Sequence, residues 1–209
     1  ALRHGGGIQR LLHQGLEAAR LKGLDGGLGG AVRRGHPAAQ LGGIDIAVSN
    51  AGLRRRTPFL AMPFAEWREI LSVALDGAFL LAQAVAPHMA RRGGGAIVGL
   101  SGISTHLGVP ERAHVSASKA GLEGLMRALA VELAPQGIRC NCVAPGSIDT
   151  ARGASAGPMP ARLGGDGSVP LRRKGTPEEV AAVVRLLVGP EGGYVTGQTV
   201  HVNGGAFLT

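Results

Sequence analysis

Apolar residues in this chain gather into short runs, separated by longer stretches with a helical period. Ile44-Asp45-Ile46-Ala47-Val48-Ser49 reads as a strand buried on both faces and ends at Asn50-Ala51-Gly52. Gly93-Gly94-Gly95 turns the chain into a second run, Ala96-Ile97-Val98-Gly99-Leu100, followed by Ser101-Gly102-Ile103-Ser104. Pro135-Gln136-Gly137 leads to a third, Ile138-Arg139-Cys140-Asn141-Cys142-Val143. Between the first two runs, a helical region opens at Pro63-Phe64-Ala65-Glu66-Trp67 and continues to about Met89. Between the second and third, Leu122, Leu125, Met126, Leu129 and Leu133 form one stripe, which predicts a helix with a buried face. Thr176-Pro177-Glu178-Glu179 spells a helix start, with a Thr cap, Pro at the first position and Glu three after the cap. That helix turns Val180, Val183, Val184 and Leu187 inward.

Residues 1–43 lack this clarity. Twelve of the 43 are Gly, and three of the seven His fall there. Gly5-Gly6-Gly7-Ile8-Gln9-Arg10 leads into a helix-like segment, as a phosphate-holding glycine turn does. Such a turn works because glycine permits close backbone approach and a helix N-terminus offers free N–H groups. It also requires a preceding buried strand, and only Ala1-Leu2-Arg3-His4 precedes it. A reduced phosphate turn, a flexible glycine-rich lead-in and the product of a shifted reading frame all fit this segment.

The chemistry-bearing stretch is Ala113-His114-Val115-Ser116-Ala117-Ser118-Lys119-Ala120-Gly121. It resembles the active-site helix of the short-chain dehydrogenase/reductase family, written there Tyr-x-x-x-Lys. Lys119 is the Lys, and Val115 stands where the family has Tyr. Ser49-Asn50-Ala51-Gly52 resembles the family's Asn-Asn-Ala-Gly, Ala144-Pro145-Gly146-Ser147-Ile148-Asp149-Thr150 its Pro-Gly loop, and Tyr194 to Gly205 its last strand and terminal turn. The resemblance covers about 44–209 well and 1–43 poorly. It implies one α/β domain, a Rossmann-like doubly wound parallel sheet flanked by helices, with the N-terminal strands reduced or missing.

The resemblance also implies NAD or NADP as cofactor and hydride exchange with an alcohol or carbonyl substrate. Cofactor contacts would then fall on Gly7, Ile8, Asn50, Ala51, Gly52, Lys119, Pro145, Gly146, Ile148 and Thr150. The family's Ser lies thirteen residues before its Tyr, which here is Gly102, and its structural Asn falls on Ala74. In the family that Asn bends the helix and holds a water; alanine is expected to do neither. Residues 151–169, rich in Gly, Pro, Ala and Ser, suit the substrate lid. The long helix pairs with its symmetry mate in the family, which implies a homodimer or homotetramer.

With Tyr, Ser and Asn replaced by Val115, Gly102 and Ala74, family-type reduction should be weak, since losing a general acid costs roughly 10²–10⁴-fold. Ser101, next to Gly102, is either a shifted substitute or an ordinary turn serine. His114 could supply a proton, but adjacent helical residues point about 100° apart, which turns it away from the missing Tyr as a surface or loop histidine. Lys119 is either a helical lysine near solvent or, by the resemblance, the ribose-binding lysine. Two functions follow: an oxidoreductase by descent, or a non-catalytic ligand-binding or partner subunit.

The formal charge of +8 suggests nucleic acid at first. Its distribution argues otherwise, because residues 1–56 hold +6 of it with no interleaved stacking aromatics. Cys140 and Cys142, two apart on a strand, read as buried residues and not as a disulfide or a metal site. No apolar run is expected to reach membrane-spanning length and no signal peptide is read, giving a cytoplasmic expectation.

Overall fold

The computed structural model describes residues 43–150 and 169–209. Four strands form one parallel sheet in the order β1 (Ile46–Ser49), β2 (Gly95–Leu100), β3 (Ile138–Pro145) and β4 (Thr199–Val202). Register pairs Val48 with Val98, Val98 with Asn141 and Val143 with Val200, so all four carboxyl ends finish on one edge. The helices are α1 (Phe64–Leu71), α2 (Gly77–Arg91), a short α3 (Ser104–Leu107), α4 (Ala113–Glu132) and α5 (Pro177–Val188). Among the described residues, each crossover between neighbouring strands contains at least one of these helices, the usual way parallel strands are joined.

The pleat divides the core into two. On one face Ala47, Ile97, Cys140 and Cys142 pack against Ala78, Ala82, Val85 and Met89 of α2 and Leu122 and Met126 of α4. On the other, Val98, Leu100 and Val143 meet Val184 and Leu187 of α5, with Val180 and Val183 alongside. Both faces are covered, which is why these strands read as continuous apolar runs. Gly99 lets α4 lie close against β2: a Cβ there would sit 3.1 Å from Leu122 Cδ1 and 3.2 Å from Cys142 Sγ.

Two side chains of β3 organise the segment before β4. The Arg139 guanidinium donates to Leu187 O at 2.5 Å, Gly192 O at 2.7 Å and Gly189 O at 3.3 Å, closing the C-terminal end of α5. Asn141 donates to Val195 O at 2.9 Å and accepts from Gln198 N at 3.0 Å. At the other end of α5 the predicted cap is present in full: Thr176 accepts from the Glu179 N–H and Glu179 accepts from the Thr176 N–H.

Three expectations are corrected. The helical region from Pro63 is not one regular helix, since Ser72–Asp76 form a π turn closed by the Gly77 N–H on Ser72 O. Ala74 lies inside that turn, so the irregularity forms without an Asn. Helical structure over Phe64–Arg91 is 28 residues long and apolar enough to cross a membrane by length and composition, contrary to the expectation of no such run. Its inward residues Ala78, Ala82, Val85 and Met89 are buried on the sheet. The third correction shortens the last strand, which covers only Thr199–Val202 and leaves Tyr194 fully exposed ahead of it.

Candidate functional site

The carboxyl edge of the sheet gathers Asn50-Ala51-Gly52 after β1, Ser101-Gly102 after β2, the Pro145–Thr150 loop after β3 and Asn203 after β4. In an open parallel sheet this edge is where a ligand crevice forms. Helix α4 supplies Lys119 to it. Its Nζ donates to Leu100 O at 2.5 Å, and a Cβ on Gly52 would lie 3.3 Å from that nitrogen. Burial pushes the Lys119 amine down to about 8, the Arg54 guanidinium pushes the same way, and Cys142 opposes them.

The positions around Lys119 carry little polarity. Val115, one turn earlier on α4, is buried, and its carbonyl accepts from Ser118 Oγ at 2.9 Å. Ala74 is buried in the π turn. Gly102 has space beside it: a Cβ there would meet Ser104 Oγ at 3.8 Å and Pro145 O at 3.9 Å. Gly146, in contrast, is packed hard against the terminal turn, where a Cβ would come within 2.8 Å of Asn203 Cα. The loop beyond it is fixed by Gly175 N on Ser147 O at 2.9 Å and Asp149 N on Gly175 O at 2.8 Å. Ser147 Oγ is buried there with no partner among the described residues. Gly7, Ile8 and the 151–168 part of the expected lid lie outside the described residues.

Both candidate substitutes, Ser101 for the family's Ser and His114 for its Tyr, have partners elsewhere. Ser101 donates its hydroxyl to Glu123, a nearly buried carboxylate on α4. The same Glu123 oxygen pairs with His106 Nε2 at 3.1 Å and lies 3.4 Å from Thr105 Oγ1. His106 meets His201 edge-on with ring centroids 4.8 Å apart, and Phe207 stacks on it at 5.1 Å. His114 is corrected from a surface or loop residue to a fully buried helical one. Its Nε2 stands 2.9 Å from Glu66 Oε1, which also accepts from Thr57 Oγ1 at 2.6 Å, while Nδ1 is buried without a partner among the described residues. The Thr57 hydroxyl bond, aided by His114, holds the Glu66 carboxyl below its ordinary range against the opposing effect of desolvation.

Glu123 escaped the sequence reading, although a signal was present. It falls one turn beyond Lys119 and between Leu122 and Met126, so a carboxylate there had to be either exposed or partnered. Cys140 and Cys142 are buried free thiols, both pushed up by burial, to about 11 and about 12. Among the described residues no cluster of three or more His, Cys, Asp or Glu could hold a metal ion.

A parallel sheet with helices on both faces, glycine-containing loops at its carboxyl edge and a lysine reaching that edge from the adjoining helix defines a Rossmann-type α/β protein. Residues 35–206 match the family profile described as Enoyl-(Acyl carrier protein) reductase, and the chain belongs to the short-chain dehydrogenase/reductase family. It is 41% identical over 171 residues to the 3-oxoacyl-[acyl-carrier-protein] reductase FabG of Aquifex aeolicus, covering 79% of this chain and 66% of that one. To the uncharacterized oxidoreductase YohF of Escherichia coli it is 39% identical over 170 residues, covering 81% and 67%. The crystal structure of the acetoin dehydrogenase YohF from Salmonella typhimurium superposes with a TM-score of 0.72 at 37% identity, covering 82% of this chain and 67% of that one. The chain thus spans about two thirds of the length of these relatives.

Proposed function

We propose that the chain is an oxidoreductase of reduced power, binding NAD(H) or NADP(H) along the carboxyl edge and acting on a small carbonyl–alcohol pair. The observation that carries this reading is Lys119, held at the edge by Leu100 O beside Gly52. The nicotinamide half of a dinucleotide fits the residues present. Lys119 offers an amine to a ribose hydroxyl, and Ser147 Oγ, in the loop after β3, is a buried polar atom without a partner among the described residues. Asn50, Ala51, Pro145, Gly146, Ile148 and Thr150 complete that margin. A nicotinamide bound there would supply hydride chemistry. The relatives named as an acetoin dehydrogenase and a 3-oxoacyl reductase support a ketone as the substrate class.

Proton delivery is where this chain departs from its family. Val115 has no exchangeable proton, Gly102 has no hydroxyl to polarise a carbonyl, and Ala74 cannot hold a water by its side chain. These three replacements favour a second reading, a non-catalytic subunit that binds dinucleotide or pairs with another copy. Exposed apolar side chains on the helices, Phe64, Phe79 and Leu80, support assembly as a homodimer or homotetramer. Calorimetric titration with NADH and NADPH, followed by turnover of acetoin and short 3-oxoacyl thioesters, tests both. Binding with slow turnover supports the first reading, and binding without turnover supports the second. Failure to bind either dinucleotide overturns both as ligand-binding proposals.

A further inference from the structure

The turn after β4 is fastened by a cluster of three rings. Phe207 stacks on the His106 imidazole with centroids 5.1 Å apart and lies tilted against that of His201, also at 5.1 Å. The two imidazoles meet edge to face at 4.8 Å. His106 belongs to α3 and His201 to β4, so Phe207 joins the turn to both elements. Within the turn, Asn203 Nδ2 donates to Phe207 O at 2.9 Å, and Asn203 Oδ1 accepts from the Gly205 N–H at 2.8 Å. The turn also holds the crevice margin. Asn203 leaves no room for a Cβ on Gly146, Gly146 N donates to Val202 O at 2.9 Å, and Leu171 N donates to Gly204 O at 3.1 Å.

Proton positions in the cluster follow from its partners. The Glu123 carboxylate only accepts, so neutral His106 carries its proton on Nε2, and its exposed ring takes a second proton from solvent at Nδ1. His201 Nδ1 is buried without a partner among the described residues, so neutral His201 keeps its lone pair there and its proton on Nε2. A second proton on His201 therefore makes a buried N–H with no acceptor, edge-on to a ring that also gains charge as pH falls. Glu123 gives the pair one carboxylate, and Arg127 Nη1 stands 4.0 Å from its other oxygen. Lys119, one turn before Glu123, adds positive charge, and the Cys142 thiol, pushed up to about 12, adds none. Burial and then His106 lower the His201 imidazole, against the effect of Glu123.

We infer that the three rings form a pH-operated latch: protonation of His201 beside His106 unseats Phe207 and frees the turn 203–207, which then releases the Gly146 loop and Leu171. An imidazole lowered in the closed turn keeps the latch shut above its ordinary 6.5 and opens it as pH falls below that value. The latch requires no dinucleotide, so it stands or falls separately from the oxidoreductase reading.

The test is amide hydrogen exchange of the full chain, read by NMR at pH 7.5 and pH 5 and corrected for the intrinsic pH dependence of exchange. Protection of the Gly146, Leu171, Gly205 and Ala206 amides should fall roughly tenfold at pH 5, the size expected when a buried N–H has no acceptor. The Ile97 and Val98 amides, in the middle of β2, should keep theirs. The midpoint of the loss should coincide with the titration of the His201 ring C–H signals. His201→Phe keeps a ring beside Phe207 but takes no proton, so its turn should be equally protected at both pH values. Equal losses in the turn and in β2, no loss in the turn, or a loss that persists in folded His201→Phe would overturn the inference. Should that variant not fold, the parent chain still decides, because turn amides that open at a midpoint different from that of the His201 ring would overturn it as well.

Discussion

Glu123 stands one helical turn beyond Lys119, and its Oε1 takes both the Ser101 hydroxyl and, at 3.1 Å, His106 Nε2. The carboxylate therefore ties the segment after β2 to α4. Replacing it by alanine takes the acceptor from the half-buried Ser101 hydroxyl and from the exposed His106 imidazole, both of which can turn to water, which costs about 1 kcal/mol. Urea unfolding of Glu123→Ala should show a loss of that order, and Glu123→Gln, which keeps an acceptor, should lose less. Equal losses in the two variants would mean that packing, not acceptor capacity, sets the contribution.

The neighbouring His201 gives the fold a dependence on pH. Burial lowers the His201 imidazole, the nearby His106 lowers it further, and Glu123 opposes both. An imidazole lowered in the folded state binds its proton more readily when unfolded. Its contribution is therefore present above the ordinary value of 6.5 and is lost as pH falls below it. Thermal melts between pH 7.5 and 5 should show declining stability, with a shallower decline for His201→Leu. Glu179, lowered to about 2 chiefly by Arg173, acts in a different window, between its ordinary 4.5 and 2, and does not confuse the measurement.

Arg139 reaches 48 residues along the chain to the C-terminal carbonyls of α5, with Leu187 O and Gly192 O as its nearest acceptors. A planar guanidinium can serve several carbonyls at once, and an ammonium cannot reproduce that fork. Arg139→Met should cost about 3 kcal/mol, within the range for buried bonds to a charged donor. Arg139→Lys should recover only part of it. The predicted readout is a lower denaturation midpoint, with hydrogen exchange accelerating first over residues 187–198. Uniform acceleration across the sheet would show that the contact serves global packing and not this segment.

Much of this architecture is legible in the sequence, and the reason lies in how local each signal is. The runs ending at Ser49, Leu100 and Val143 are short, apolar and bounded by glycine turns, so strand identity follows from neighbours in sequence. The Thr176 cap is closed within four residues, and the structure reproduces it bond for bond. What escaped depends on distant partners. The burial of His114 is made possible by Glu66, 48 residues earlier, and that of Glu123 by Ser101 and His106 in the preceding loop. The π turn around Ala74 lies against α4, where Gly121 faces Leu75 so closely that a Cβ would come within 2.8 Å. No residue spelling within the helix announces it.

Restoring the family's polar groups separates a scaffold that has lost only its proton donor from one altered more widely. Gly102→Ser should be accepted without strain, because its Cβ has only contacts at 3.8 and 3.9 Å. Val115→Tyr is more demanding, since Val115 is 5% exposed and the ring must turn outward to the crevice. Circular dichroism and a melt of the double variant establish that it folds before any rate is read. If NADH or NADPH binds the parent chain, ketone reduction by the double variant should rise by about 10²–10⁴-fold, the size of a general-acid contribution. A folded double variant that binds dinucleotide yet gains no rate would place the defect beyond Val115 and Gly102, with Ala74 the next position to restore. A rise in rate with Val115→Tyr alone would show that Ser101, for all its bond to Glu123, can still polarise the carbonyl.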